Sequence, residues 1–384
     1  MITFITSLTA FGVAIQQDGK ILIACDDDDQ GLGALVRLDP DGSLDTSFWG
    51  GWVDTYPSRS IAVLPDGKII ASGSGIRRFH PDGSPDASFG NCGGIFAAWL
   101  PAVAIQPDGK ILAGGAGSNA VRLARCNSDG SPDNTFGIGG IVSTQIDGQG
   151  SWQVAASLAI QPDGRILAAG YIYDDGDLND MFLLRYNSNG SLDQTFDGDG
   201  IVATPIRHGL YGNGLVAVRN DGKIVVAGSS HNGTNDDFTL IRYDPSGSLD
   251  MTFGGGDGKA TVDFNNSEDS PLSMAIDSRG RAVVVGTSND TFAVARFLLS
   301  SAEISGRVLT PGGLGLKNAA VTLTDPAGNR RTVVTSSLGF YSFDDIPAGG
   351  RTVTITAVSR RYRFEPVTRT MSESLTNVDV VGIE

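Results

Sequence analysis

Apolar residues fall along the chain in short runs, and nowhere in residues 1–301 do they recur with helical spacing. Six times an apolar segment leads into a tight turn and out into a second one: AIQQDGKILIA (14–24), AVLPDGKIIAS (62–72), AIQPDGKILAG (104–114), AIQPDGRILAA (159–169), AVRNDGKIVVA (217–227) and AIDSRGRAVVV (275–285). In the fullest copies Pro-Asp-Gly between two such runs predicts a bulged hairpin, with Gly in the left-handed position. A third strand carries an Arg near its end. It feeds a second phrase, seen five times: DPDGSLDTSF (39–48), HPDGSPDASF (80–89), NSDGSPDNTF (127–136), NSNGSLDQTF (187–196) and DPSGSLDMTF (244–253). A fourth strand follows, as in GIVATPI (200–206). The hairpin Gly recurs at 19, 67, 109, 164, 222 and 280, so the period runs from 42 to 58 residues.

Four short antiparallel strands at such a period are the signature of a β-propeller blade. The sixth copy stops after its third strand, FAVARFLL (292–299), while ITFIT (2–6) precedes the first copy and resembles a fourth strand. The expected fold is therefore all-β: a six-bladed propeller over 1–301, closed by Ile2–Thr6 pairing with 292–299, since closure removes exposed sheet edges. An open solenoid and a seven-bladed ring with one divergent blade compete with it. Residues 302–384 contain neither phrase. Their β-rich runs, with turns at Asp325-Pro-Ala-Gly and Asp345-Ile-Pro-Ala-Gly, predict a small β-sandwich, transthyretin-like or Ig-like.

The DGKIL(A/V)AG and RYNxxGSLDxTFGxxG phrases resemble the delta-60 repeat of bacterial, often secreted or surface-attached, proteins. That family implies architecture and an extracellular or cell-surface location rather than a mechanism. SGRV, NAAVTLTD, TSSLGFYSFDDIPAG and TVTITA resemble the carboxypeptidase-regulatory-like (Cna B-type) sandwich, which implies a spacer or adhesive module. Some relatives form a Lys–Asn isopeptide bond from the first strand; here that strand, Ser305-Gly306-Arg307-Val308, has no Lys, and the bond is not carried over.

Composition sharpens this in two places. The chain's 52 Gly and 16 Pro suit many turns, and its net charge is −15. After residue 301 acidic and basic residues nearly balance, so the excess lies in the repeats. Such a surface repels phosphate backbones and excludes nucleic acid as an expected partner. Cys25, Cys92 and Cys126 sit at non-equivalent places, so neither a disulfide framework nor a zinc site is predicted from them. The first residues lack the features of a signal peptide, and no run is long enough to span a bilayer.

Recurrence separates scaffold from variation. Arg37, Arg78, Arg125, Arg185, Arg242 and Arg296 share one position in strand three; Asp45, Asp86, Asp133, Asp193 and Asp250 share one in the following turn. Arg–carboxylate pairs locking each turn are expected, with no partner for Arg296. Phe48, Phe89, Phe136, Phe196 and Phe253 are expected to plug the space between blades. Asp39-x-Asp41-Gly42-x-x-Asp45 resembles a calcium loop, but no copy has the twelve-residue pattern, and Asx-turns explain the same residues. Asp197, Asp199 and Asp257 are the candidate positions for a weakly held ion.

Connections from strand two to three and from strand four to the next strand one open on one face of a blade, and these are the ones that vary. They nominate Asp26, Asp27, Asp28, Asp29, Trp99, Trp152, Tyr171, Tyr173, Asp174, Asp175, Asp177, His208, Tyr211, His231, Asp236 and Asp237. Carboxylates beside aromatic rings suit a glycan, a cation or a basic peptide or protein. The competing explanation is solubility. The three His show no metal-ligand spacing, and no nucleophile elbow or phosphate loop is present. The expectation is a non-enzymatic, monomeric extracellular or cell-surface repeat protein without a cofactor, calcium left open. The propeller is its binding or display platform and the sandwich a spacer. The alternative is a hydrolase, lyase or lactonase acting on sugars through loop carboxylates.

Overall fold

The computed structural model describes residues 9–27, 32–50, 52–55, 58–90, 100–117, 119–146, 152–173, 179–208, 214–277, 280–289, 291–299, 301–326, 328–347, 351–371 and 375–383. Thirty strands and no α-helix occur among them. Among the described residues no helix is long and apolar enough to cross a membrane. The chain divides into two compact units, Met1–Ser248 with Thr261–Ala275 and Val283–Ala295, and Leu249–Ala260 with Ile276–Ala282 and Arg296–Glu384.

Each hairpin phrase forms a two-strand ladder. The first repeat supplies β1 (Thr9–Ile15), β2 (Ile21–Asp27), β3 (Leu32–Leu38) and β4 (Trp52–Thr55), a meander in sequence order. The second supplies β5 (Ser58–Val63), β6 (Ile69–Gly73) and β7 (Gly75–Phe79). The third and fourth share one sheet: β8 (Ala102–Ile105), β9 (Ile111–Gly117), β10 (Ala120–Cys126), β11 (Ile141–Thr144), then β12 (Trp152–Ile160), β13 (Ile166–Tyr173), β14 (Asn179–Tyr186) and β15 (Ile201–His208). The fifth gives β16 (Leu215–Val218), β17 (Ile224–His231), β18 (Asp236–Tyr243) and β19 (Lys259–Val262). The sixth gives β20 (Asp269–Ile276), β21 (Ala282–Ser288) and β22 (Thr291–Phe297). The expected closing strand at 2–6 lies outside the described residues.

Strands extend further towards the variable loops than the apolar runs alone predict. The fourth repeat's first strand starts at Trp152, well before the repeated phrase opens at Ala159, because a bulge between Ala155 and Ser157 lets pairing resume beyond it. Equivalent bulges interrupt β1 between Ala10 and Gly12 and β5 between Ser58 and Ser60.

The repeated turn residues build one recurring staple. Nε of Arg37, Arg78, Arg125 and Arg185 donates to Oδ2 of Asp45, Asp86, Asp133 and Asp193 at 2.7, 2.8, 2.7 and 2.7 Å. The other carboxylate oxygen accepts from the amide and hydroxyl of Ser47, Ser88, Thr135 or Thr195. Burial by itself would raise these carboxyls; the hydrogen bonds and the basic partners outweigh it and hold all four below the usual range. Arg242 and Asp250 are each buried as well, whereas Arg296, without a following turn, is exposed.

The same arginines reach into the next repeat. Their Nη1 groups donate to the carbonyls of Pro81, Ser128, Ser188 and Pro245. Each guanidinium lies 4.4–4.6 Å from the ring centroid of Phe48, Phe89, Phe136 or Phe196. Each ring in turn covers a turn glycine one repeat on. A Cβ at Gly83, Gly130, Gly190 or Gly247 would meet the ring of Phe48, Phe89, Phe136 or Phe196 within 2.8–3.1 Å, and all four have positive φ. Gly42, the equivalent glycine of the first repeat, meets nothing within 4 Å.

The C-terminal strands form two four-stranded sheets. β23 (Ser301–Leu309), β24 (Ala320–Thr324), β25 (Arg330–Val334), β26 (Phe340–Pro347), β27 (Arg351–Val358), β28 (Arg363–Phe364), β29 (Val367–Met371) and β30 (Val380–Ile383) assemble in the orders β26-β23-β30-β28 and β25-β24-β27-β29. Alternating residues from both, Ile304, Val308, Val321, Phe343, Val353 and Ile355 among them, make one apolar core. One expectation fails: Cys126 is disulfide-bonded, and Cys25 is free and buried. Equivalent spacing was a poor guide here, because a bond can join residues that occupy different places in their repeats.

Candidate functional site

Strand register brings the variable connections together. In the fourth repeat Trp152 pairs with Tyr173 and Val154 with Tyr171, so the start of strand one lies beside the end of strand two. Asn179 pairs with His208, adding the end of strand four. In the first repeat Thr9 pairs with Asp26, followed by Asp27 at the end of β2. In the fifth, His231 pairs with Asp236. Trp152 is 53% exposed and Tyr171 half-buried. Asp28, Asp29, Trp99, Asp174, Asp175, Asp177 and Tyr211 lie outside the described residues.

The densest chemistry stands in the fifth repeat. The turn between β17 and β18 folds around Asn232, whose side-chain oxygen accepts from the amides of Thr234 and Asn235 at 2.9 and 3.2 Å. Its Nδ2 donates to Asp237 Oδ2 at 3.0 Å, and Asn235 Nδ2 donates to Asp237 Oδ1 at 3.4 Å. Nδ1 of His231 lies 3.0 Å from Asp236 Oδ1. The connection from β19 to β20 comes alongside. Asn235 Nδ2 also donates to the Ser267 carbonyl, and the Asp236 amide to Glu268 Oε2 at 3.2 Å. Asn265 and Asn266 adopt left-handed φ of 64° and 53°, a conformation Asn tolerates. They turn the chain so that Asp263 and Asp269 face back towards Asp237.

One carboxylate oxygen from each of Asp237, Asp263 and Asp269 lies within 4.8 Å of the other two. Asp237 and Asp269 are buried and Asp263 is exposed. Burial is the main cause that raises the Asp237 carboxyl above its usual range; the Asn232 amide opposes it, and the charges of Asp263, Asp269 and Asp236 add to it. The sequence nominated Asp236 and Asp237 and missed Asp263 and Asp269. The signal available was the connection VDFNNSED, an acidic insertion that no other repeat carries.

Two of the residues nominated for an ion elsewhere cap local turns. Asp199 Oδ1 accepts from the Ile201 amide at 2.8 Å and Asp257 Oδ1 from the Lys259 amide at 3.0 Å, as Asx-type turns do. The Asp197 amide donates to the Ser246 carbonyl. Asp41 Oδ1 likewise accepts from the amide and hydroxyl of Ser43. Sequence reasoning also missed a scaffold partner. The hairpin residues Lys20, Lys68, Lys110 and Arg165 reach Asp45, Asp86, Asp133 and Asp193 at 2.6, 3.4, 3.2 and 2.9 Å, and they recur in step with them.

Fold and site together define an all-β repeat protein of propeller blades in series, followed by a second β-domain. Residues 16–48, 64–89, 106–136, 161–196 and 219–253 match the family described as a domain of unknown function (DUF5122) beta-propeller; residues 303–381 match the carboxypeptidase regulatory-like domain. The chain carries DUF5122 β-propeller repeats and, at its C-terminal end, a carboxypeptidase regulatory-like domain. No curated protein matches it in sequence.

Among solved structures, a protein of unknown function from Dyadobacter fermentans aligns at 12% identity with a TM-score of 0.45, covering 76% of this chain and 94% of its own. A catalytically inactive virginiamycin B lyase from Staphylococcus aureus with quinupristin gives 9% and 0.39, covering 78% and 98%. An exo-beta-1,3-galactanase from Phanerochaete chrysosporium with beta-1,3-galactotriose gives 11% and 0.34, covering 95% and 90%. At this level of likeness none carries an argument about the function of this chain.

Proposed function

We propose that the chain is a non-enzymatic binding or display protein of the bacterial cell exterior, with the regulatory-like domain as its spacer or adhesion module. The observation that carries this reading is the division of labour within each repeat. Identical Arg–Asp–Phe staples fix the turns, while Trp152 stands exposed at a strand end that leads into the variable connections. Rigid scaffolds carrying varied loops are how many proteins present ligand sites. The disulfide at Cys126 supports an oxidising location. The test is a panel of glycans and basic peptides, scored by binding and by mass spectrometry of the ligand. Binding that Trp152→Ala abolishes without changing the melting temperature is expected. Turnover of any sugar would overturn the reading.

The alternative, a hydrolase or lyase working on sugars, draws support from the converging carboxylates. Spacing and access weigh against it. Paired catalytic carboxyl groups stand roughly 5–5.5 Å apart for retention and roughly 6.5–9.5 Å for inversion. Here the oxygens approach more closely, and only Asp263 is exposed.

The six-bladed closed ring belongs to the same proposal. In the first repeat Val13 and Ile15 are 62% and 72% exposed, though their counterparts in later repeats are buried or half-buried. In the sixth, Phe292 and Val294 are 78% and 45% exposed, while the counterparts of Val294 (Leu35, Ile76, Leu123, Leu183 and Leu240) are buried. Between consecutive repeats such residues pack on each other, Leu35 with Ile61 and Leu123 with Leu158. The first and last repeats thus present complementary apolar faces, which supports closure.

A further inference from the structure

We propose that Asp237, Asp263 and Asp269 form a calcium site that ties the β17–β18 turn to the β19–β20 connection. Three facts carry it. First, the donor set is all oxygen, without His or Cys, which selects a hard cation over zinc or copper. Second, a mutual separation within 4.8 Å spans one ion whose ligands lie at about 2.3–2.6 Å on opposite sides, as calcium's do; magnesium, at about 2.0–2.1 Å, would draw them closer. Third, Asp269 is 1% exposed, and its Oδ1 is buried without any hydrogen-bond partner, although its Oδ2 accepts from the Phe264 amide at 2.9 Å. A buried carboxylate oxygen left unmatched is uncommon in a folded protein and calls for a cation or its equivalent. Among the described residues no Lys, Arg or His pairs with any of the three carboxylates.

The surroundings are built for such an ion rather than for substrate. The Asn232 and Asn235 amides steady Asp237, and the Asp263 Oδ1 accepts from the Asn266 amide at 2.6 Å, which restrains the exposed carboxylate. Ser229 Oγ donates to the Asp269 carbonyl at 3.0 Å, and the Phe238 and Phe264 rings pack edge to face with centroids 5.3 Å apart. Both connections would be fixed by the ion, so the presentation of His231 and Asp236 becomes calcium-dependent.

The test uses the full chain, stripped with a chelator and titrated with calcium chloride by calorimetry, with magnesium chloride in parallel. One equivalent of calcium is expected to bind, with slowed amide exchange in 232–235 and 263–268. Asp263→Asn, at an exposed position, is expected to keep the fold and weaken binding at least tenfold; Asp257→Asn is expected to leave it unchanged. Absence of heat up to about 10 mM calcium, beyond the weakest extracellular modules, would overturn the proposal. So would an unaltered titration in Asp263→Asn, or magnesium binding as tightly as calcium. Glycan or peptide capture through Trp152 is read separately, so loss of one result leaves the other standing.

Discussion

Arg125→Ala removes the centre of one staple. Arg125 and Asp133 are 5% and 4% exposed, with Nε to Oδ2 at 2.7 Å. The substitution also deletes the Nη1 bond to the Ser188 carbonyl in the next repeat and the cation–π contact with Phe136 at 4.5 Å. Breaking a buried pair by removing one partner costs about 3–5 kcal/mol. Here Lys110 remains 3.2 Å from Asp133, and the Thr135 amide and hydroxyl still donate to it, which places the loss at the lower end, about 3 kcal/mol. At roughly 2–4 °C per kcal/mol for a domain of this class, the melting temperature should fall by roughly 6–12 °C. Arg296→Ala is the internal control: the same repeat position, exposed and without the turn, expected to change stability by less than about 0.5 kcal/mol. Differential scanning calorimetry and urea titration read both. A double-mutant cycle with Asp133→Asn completes the test. If Arg125→Ala costs no more than Arg296→Ala, or if the two central changes simply add, the staple does not hold the repeats together.

Three further outcomes are expected. Gly190→Ala should destabilise more than Gly42→Ala by about 1–3 kcal/mol in urea titration. Both glycines have positive φ, but only the first would press a Cβ into the Phe136 ring. Acid should weaken the repeats from about pH 4 downwards. The native carboxyls of Asp45, Asp86, Asp133 and Asp193 are held below their unfolded values, so the stability they contribute is full above the unfolded pKa and disappears as pH falls through the native one; Asp133→Asn should flatten that slope in a pH series of melts. Alkylation of the denatured, unreduced protein should label Cys25 and leave Cys126 unlabelled by mass spectrometry; labelling of Cys126 would remove the support for an oxidising location.

What could be read from sequence was whatever repeats in phase. Hairpin glycines, the strand-three Arg and the turn Asp recur at fixed offsets, so their pairing followed from counting. The basic residue of the hairpin recurs just as faithfully but stands in the other phrase, and only the sheet register shows that Lys20 and Asp45 converge. Contacts between repeats recur as well, but nothing in either phrase shows which residues they join. The Phe48 ring over Gly83 joins two residues that each look like ordinary turn chemistry.

The acidic cluster was illegible for a related reason. Asp237 comes from a strand-two-to-three turn, and Asp263 and Asp269 from the connection into the next repeat, so no local motif contains all three. Each taken alone is an acidic loop residue of the kind that keeps a protein soluble. What distinguishes them is convergence within 4.8 Å, with two of the three buried, a property of the folded chain. A scaffold held by identical staples leaves its connections free to differ, and the fifth repeat uses that freedom to concentrate carboxylates. Chemistry in such a protein is therefore to be sought where one repeat departs from the others.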